Sequence, residues 1–245
     1  MAVSRLLAGL SLALIALDVS AAQAIARPDF TGIWLPDESR APPWPSKLPL
    51  QPPARSFMER FDPASHDPTS FCMPFGTPRN MLQTQFPLQI VHTPQRVVMV
   101  LQPDLSNAEV RRVPLGTALP RETEPSWFGT SRGRWDGSTL VIETIGLRED
   151  SLINGQGLPH SGQLRVVERL SLVDDPRRGK VLVDDMELHD PVAYTEPLRT
   201  RRYFVSAPQA NLSEGNCVAR RWIDKLWRDR LQEHADAARA KAAAR

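Results

Sequence analysis

The chain has 245 residues, with 30 Lys and Arg against 28 Asp and Glu and only two Cys. A hydrophobic fraction of 41% with 24% charged residues is typical of a folded domain and excludes a disordered chain. The net charge of +2 and the two thiols argue against a general nucleic-acid binder and against a zinc cluster built on cysteines.

The N-terminus predicts export. Residues 1–26 have the pattern of a secretory signal peptide, with Arg5 before an apolar core and two small-x-small cleavage motifs ending at Ala24 and Ala26. The core, residues 6–17, is shorter than the roughly 20 residues that a membrane-spanning helix needs. We therefore expect a periplasmic or secreted protein with no integral membrane segment after cleavage. Its mature part would be a domain over 27–217 and a helix over 218–245.

The two cysteines are interpreted through this compartment. In an oxidising environment, Cys72 and Cys217 are expected to form a structural disulfide. The alternative is a catalytic or redox cysteine, but the chain has no CxxC motif and no His beside either cysteine. The five His show no ligand spacing, and the sequence lacks nucleotide-binding and serine-hydrolase motifs, so neither a metal nor a cofactor is expected.

Most of the mature chain has the two-residue period of β-strands. A stretch from Pro36 to Pro53 contains seven prolines and is expected to form neither a regular helix nor a central strand. One helical turn is expected over Ser56–Asp62. Nine strands are then predicted, at Phe30–Leu35, Pro87–His92, Arg96–Gln102, Glu109–Val113, Gly129–Trp135, Ser138–Ile145, Gln163–Val173, Lys180–Asp190 and Thr200–Ser206.

The fold class follows from how these strands are connected. Asp136-Gly137 predicts a two-residue hairpin, and no long helix lies between the strands, which argues against a parallel sheet. We therefore predict an all-β protein, an antiparallel, lipocalin- or calycin-like barrel of about eight or nine strands, because closure removes exposed edges.

The last element is a predicted helix over Val218–Ala243, which lacks Pro and Gly and is rich in Ala, Arg and Leu. Counted to Arg245, its net charge is +4. One interpretation is contact with an anionic membrane surface, and the other is a solvated helix packed beside the barrel.

Glu168 is the main candidate for chemistry. It shares a strand face with Leu164, Val166, Leu170 and Leu172, so alternation points it into the barrel. A buried carboxylate must find a partner or shift its pKa upward, which makes it a candidate catalytic group. The structural alternative is an interior ion pair, for which Arg112, Arg134 and Arg201 are the proposed partners.

Other polar residues could join such a site. On the next strand, Asp184 or Asp190 is aimed inward. His160 lies in a loop before the Glu168 strand and could donate or accept a proton, or be a hydrogen-bonded loop histidine. Trp135 lies beside the small residues Gly133 and Ser131 on its strand face, which leaves room for a ligand. Tyr194 follows Asp190 in what resembles a structural turn.

An ordered set of motifs resembles a large family of secreted bacterial proteins without an established activity. The motifs are GxW at 32–34, CxPxGxPR at 72–79, GRWxGxTLVIET at 133–144, PHS at 159–161, VER at 167–169, DPxxYxxP at 190–197 and the C-terminal Cys217. The resemblance implies export, an all-β core and the Cys72–Cys217 bridge, and no catalytic role. The first motif is also similar to that of lipocalin-like barrels.

Three functions remain open from the sequence. The first is a barrel that holds a small, largely apolar or amphipathic molecule, with ligand contacts from Trp135, Arg134, Arg112 and Tyr194. The second is an acid–base enzyme of isomerase, cyclase or lyase type, with Glu168 as base and His160 or Asp190 as acid. The third is a periplasmic structural or interaction module.

Overall fold

A computed structural model describes residues 27–83, 85–102, 108–212, 215 and 217–243. The predicted signal peptide lies outside the described residues. The strands are β1 (Gly32–Pro36), β2 (Leu88–Thr93), β3 (Arg96–Leu101), β4 (Glu109–Pro114), β5 (Thr130–Asp136), β6 (Thr139–Ile145), β7 (Arg165–Asp175), β8 (Gly179–His189) and β9 (Leu198–Ser206). The helices are α1 (Pro52–Glu59), α2 (Pro63–His66), α3 (Arg79–Leu82) and α4 (Ala219–Ala243), with 3₁₀ turns at Glu38–Arg40 and Pro68–Phe71.

The nine strands form one antiparallel sheet in the order β4-β3-β2-β1-β9-β8-β7-β6-β5. The edge strands β4 and β5 approach each other, with Leu115 and Gly133 in a parallel bridge and the Gly116 N–H donating to the Gly133 carbonyl at 2.9 Å. The sheet is therefore nearly closed into a barrel. This confirms the predicted all-β barrel class. The strands form a barrel because a sheet that wraps around buries the apolar residues that alternate onto its inner face.

The proline-rich segment differs from its prediction at both ends. Pro36 is the last residue of β1, a central strand of the sheet, and pairs with Phe204 of β9. Pro52 and Pro53 occupy the first turn of α1, so the helix runs over Pro52–Glu59 and not over the expected Ser56–Asp62. Proline fits this position because the N–H it lacks would have no partner inside the helix. No helix in the described part of the chain is long and apolar enough to cross a membrane.

The segment between β1 and β2 covers one end of the barrel. All four residues of α3 are buried. The Asn80 amide donates to the Glu109 carboxylate at 3.0 Å, and Arg202 Nε donates to the Leu82 carbonyl at 3.1 Å. Since these bonds join α3 to β4 and β9, the barrel is plugged at this end.

The disulfide between Cys72 and Cys217 is present, as expected, with 5.7 Å between the Cα atoms. It ties the chain just after the 3₁₀ turn Pro68–Phe71 to the start of α4. Helix α4 packs against the same turn. The bridge therefore fixes the base of α4 to the segment that precedes the plug.

Candidate functional site

The barrel interior contains a buried ion pair between β4 and β7. Arg111 Nη1 donates to Glu168 Oε1 at 2.8 Å, and Nη2 donates to Oε2. Arg111 also donates to the Thr144 hydroxyl at 2.8 Å and to the Ser131 hydroxyl at 3.2 Å. Neither charged side chain is accessible to solvent. The geometry is a bidentate pair in which every guanidinium nitrogen has a partner.

The expected partners of Glu168 were wrong. Arg111 shares the inner face of β4 with Glu109 and Val113, whereas its neighbour Arg112 is exposed on the outer face. Arg134 is exposed and lies 3.9 Å from Glu143, and Arg201 pairs with Asp185 on the outside of the barrel. A shift of one position along a strand reverses the face, which is why the neighbour takes the role.

A second buried acid lies near this pair. Asp184 on β8 is fully buried, and neither of its carboxylate oxygens has a hydrogen-bond partner among the described residues. Burial and the charge of Glu168 raise its pKa well above the usual value. Burial would lower the pKa of Arg111, but the charge and hydrogen bonds of Glu168 outweigh it and raise that pKa. The site therefore favours the neutral form of the Asp184 carboxyl group.

Trp135 lies at the other end of the barrel. Its ring stacks on Phe30 with centroids 5.8 Å apart and packs against His92 at 5.7 Å. Arg27 lies over the Trp135 ring, 5.6 Å from its centroid. The space beside the small Gly133 is filled by Leu115, Val113 and Leu140, so it holds no room for a ligand.

A groove of about 800 Å³ opens at the plugged end of the barrel. Its walls are α1, α2, the 3₁₀ turn Pro68–Phe71, the loop between β6 and β7, and the loop between β8 and β9. Phe57, Phe71, Met73, Trp127 and Val192 are among its apolar lining residues. Phe71, Met73 and Val192 are exposed to solvent there. Exposed apolar side chains that are grouped in one concavity are typical of a binding surface.

Buried polar contacts hold the groove walls on the barrel. Arg79 of α3 makes a bidentate pair with Asp67, with bonds of 2.8 and 2.9 Å. The Asp67 carboxylate also caps the 3₁₀ turn by accepting from the Thr69 N–H. On the opposite wall, the Gly155 N–H donates to the Gln83 side chain at 2.7 Å. The groove is therefore anchored to the plug from both sides.

His160 borders the groove and has a partner on each ring nitrogen. Nε2 lies 2.8 Å from the Ser151 hydroxyl, and Nδ1 lies 2.8 Å from the Ser161 carbonyl. Because a carbonyl can only accept, Nδ1 carries the proton. The Ser151 hydroxyl also lies 2.8 Å from the Arg148 carbonyl, so its single proton can point to that carbonyl or to Nε2. Burial lowers the pKa of His160, so the ring is neutral at neutral pH.

Asp190 and Tyr194 organise the same loops without touching the His160 ring. Asp190 accepts hydrogen bonds from the N–H and hydroxyl of Ser161, at 2.6 and 2.8 Å. The Tyr194 hydroxyl donates to the Pro159 carbonyl at 2.6 Å, and burial raises the pKa of its phenol. Both residues join the β8–β9 loop to the loop that carries His160.

The predicted site residues thus separate into distinct regions. Glu168 is in the sealed interior with Arg111, Trp135 is at the far end, and His160 is at the groove. Arg112 and Arg134 lie outside the barrel. Sequence reasoning missed Arg111 and the apolar groove, whose residues come from separate loops and short helices with no common period. The Phe71-Cys72-Met73 triplet, in which apolar side chains flank a disulfide, was the available signal.

No cluster of three or more His, Cys, Asp or Glu suited to a metal ion occurs within the described ranges. Compared with models of known protein families and with curated proteins, the chain matches none.

Proposed function

We propose that the protein is an exported binding protein that holds a small, largely apolar molecule in the groove at the plugged end of the barrel. The observation that carries the proposal is the exposure of Phe71, Met73 and Val192 along one concave surface. An apolar ligand would cover these side chains and release their hydration water. A volume of about 800 Å³ is within the usual range for small-molecule sites.

The interior is the weaker place for a ligand. Both carboxylate oxygens of Glu168 accept from Arg111, and a bound molecule would have to break that pair in a low-dielectric environment. The groove requires no such exchange. We therefore expect the ligand in the groove and not inside the barrel, and we assign Glu168 a structural role.

The charges at the groove favour a ligand whose polar end is cationic or donates hydrogen bonds. Glu149 and Asp150 lie at the rim with Arg148 as the neighbouring cation. Arg148 already pairs with Asp150 at 2.6 Å and lies 5.0 Å from the Trp127 ring centroid. Glu149 is exposed, and its Oε1 accepts from the Gly162 N–H at 3.0 Å, which leaves Oε2 as the oxygen that a donor group could reach.

A titration with dodecylamine, dodecanol and dodecanoate tests the proposal. Trp127 lines the groove, so binding should change tryptophan emission, and a Trp127→Phe variant should lose that change. Dodecylamine is expected to bind most tightly and dodecanoate least. If none of the three changes the emission of Trp127 or displaces a fluorescent apolar probe, the proposal is wrong.

Two arginine substitutions provide a matched pair. Val192 in the groove is 48% exposed, and Val173 on β7, outside the groove lining, is 49% exposed. Val192→Arg is expected to weaken dodecanol binding by roughly tenfold or more, because it places a charge where the alkyl chain would pack. Val173→Arg should bind as the wild type does. Equal affinities for the two variants would contradict the groove as the binding site.

An acid–base enzyme is the second candidate, and His160 is the observation that favours it. A neutral imidazole at the edge of an apolar groove could move a proton to or from a bound molecule, because His160 itself belongs to the groove lining. In that case the wild type would convert a groove ligand that His160→Gln binds but leaves unchanged. A ligand that stays intact on the wild type over hours would exclude this activity.

We also propose that the protein is exported and belongs to the family of secreted bacterial proteins that its motifs resemble. The Cys72–Cys217 bridge is compatible with an extracellular or periplasmic location, where disulfides persist. The intact mass of the protein recovered from an expressing bacterium tests export. Loss of a segment ending at about residue 26 is expected, and a mature chain that keeps Met1 would contradict it.

A further inference from the structure

Helix α4 has an apolar surface that is exposed to water. Trp227 is 57% exposed and Leu231 is 66% exposed, the largest values among the bulky apolar side chains in the described part of the chain. They are four residues apart, so they lie one above the other on the same face of the helix. Every residue from 232 to 243 is exposed, so the second half of α4 extends beyond the barrel.

The charges of α4 are distributed unevenly around this face. The helix contains seven Lys and Arg against four Asp and Glu. At 100° per residue, Arg228, Arg230 and Lys241 fall on the half of the helix that is centred midway between Trp227 and Leu231. Asp229, Glu233 and Asp236 fall on the opposite half, together with Lys225 and Arg239. Asp224 is the one acid on the Trp227 half. The apolar pair is thus surrounded mainly by cations.

These cations differ in whether they form an ion pair with another residue of the protein. The Arg230 guanidinium pairs with Asp62 of the body and lies 6.0 Å from the Trp227 ring centroid, which helps to fix the orientation of the helix. Arg228 and Lys241 form no ion pair with any described residue. They are available for an external anionic partner at the face that presents Trp227 and Leu231.

We propose that this face of α4 docks on an anionic membrane surface, with Trp227 and Leu231 entering the interface and Arg228 and Lys241 contacting the headgroups. A Trp and a Leu on one face with flanking cations are the features of helices that lie in the interfacial plane. The disulfide fixes the base of α4 beside Phe71 and Met73, so docking would bring the groove wall close to the bilayer.

Co-sedimentation with vesicles tests the proposal. The intact chain is expected to bind phosphatidylglycerol vesicles with a blue shift of tryptophan emission and to bind phosphatidylcholine vesicles much more weakly. Because the Debye length falls to about 3 Å at 1 M salt, high salt should weaken the binding strongly. Wild-type protein that does not bind phosphatidylglycerol, or binds both lipids equally, overturns the proposal, and in that case a protein partner would be the better explanation of this face.

Variants assign the effect to α4. Trp227→Ser with Leu231→Ser is expected to lower vesicle affinity roughly tenfold or more. Val173→Ser, at a valine on β7 that is 49% exposed, should have no effect. Arg228→Gln with Lys241→Gln should remove most of the preference for phosphatidylglycerol. Vesicle binding unchanged in both double variants, with circular dichroism showing intact folds, would contradict the proposal.

Vesicle binding by α4 and dodecanol binding in the groove can be tested separately. Val192→Arg should keep vesicle binding while losing dodecanol binding, and the Trp227 and Leu231 double variant should show the reverse.

Discussion

The barrel interior and the groove differ in how their side chains are covered: charged groups are buried and paired in the interior, and apolar groups are exposed at the groove. In the interior, Arg111 and Glu168 are fully buried, and each oxygen and nitrogen of the pair has a hydrogen-bond partner. At the groove, apolar side chains such as Met73 and Val192 remain exposed without a covering element among the described residues. A satisfied buried network stabilises one fold, whereas an uncovered apolar surface is available for binding. Glu168, the most conspicuous candidate in the sequence, is therefore a buried structural residue and does not mark the proposed binding site.

The largest effect is expected when the interior pair is broken. Glu168→Ala removes the carboxylate that is hydrogen-bonded to the buried Arg111 guanidinium, which should lower the free energy of unfolding by about 3–5 kcal/mol. Urea denaturation measures this change. In the absence of urea, where the variant is folded, its affinity for dodecanol should equal that of the wild type.

Replacing both partners is the control for this variant. Glu168→Leu combined with Arg111→Met removes both charges, and its stability should be close to that of the wild type or above it. A folded Glu168→Ala protein that loses groove binding while keeping wild-type stability would show that the interior is part of the site.

The disulfide gives the next largest effect. It closes a loop with a sequence separation of 145 residues. Replacing both cysteines with Ser should lower the free energy of unfolding by about 2–5 kcal/mol. Because the bridge also ties the groove wall to α4, ligand affinity should fall as well, unlike in the interior variants. Denaturation and dodecanol titration of the same sample measure both, and unchanged affinity would show that the groove wall holds its shape without the bridge.

Asp184 provides a test through pH. Its pKa is raised in the folded protein, so between the ordinary carboxyl pKa of about 4 and the raised value the folded state holds more protons than the unfolded state. Wild-type stability should therefore fall as the pH rises through this window. Asp184→Asn lacks that dependence and should be more stable than the wild type by about 1–3 kcal/mol at pH 8, with little difference below about pH 4.

Urea denaturation of both proteins from pH 4 to pH 8 is the measurement. A difference that is constant with pH would mean that Asp184 has the same pKa folded and unfolded.

The smallest expected effect is at the groove loop. Gly157 has a φ of +79°, and a Cβ there would lie 2.2 Å from the Phe61 ring. Gly157→Ala should therefore lower the stability by about 1–2 kcal/mol and weaken groove binding, because Phe61 packs against Phe57 in the groove wall. Gly179→Ala is the matched control, since it also has a positive φ but no neighbour within 4 Å of a Cβ. Equal loss of ligand affinity in both variants would remove Phe61 from the explanation.

Much of the fold was predictable because it depends on local patterns. Alternation identified all nine strands to within two residues of their ends, and the Ala-rich composition identified α4. The inward direction of Glu168 followed from the same alternation. Its partner did not, because only the closure of β4 toward β5 brings Arg111 across the barrel to β7.

The groove was not predictable for a related reason. Phe57, Trp127 and Val192 come from a short helix and two distant loops, and none of them belongs to a periodic segment. They are brought together by buried polar contacts such as the Arg79–Asp67 pair, whose partners are 12 residues apart. Such contacts leave no trace in hydropathy.

The most direct test of the account is the mapping of a bound apolar molecule by photo-crosslinking. A dodecyl amine that carries a diazirine on its alkyl chain would be irradiated on the native protein, and the labelled peptides identified by mass spectrometry. The account predicts labels within residues 53–73 and 148–161, reduced by excess dodecylamine. Labels on inward residues of the barrel, such as Leu170 or Met186, would contradict it.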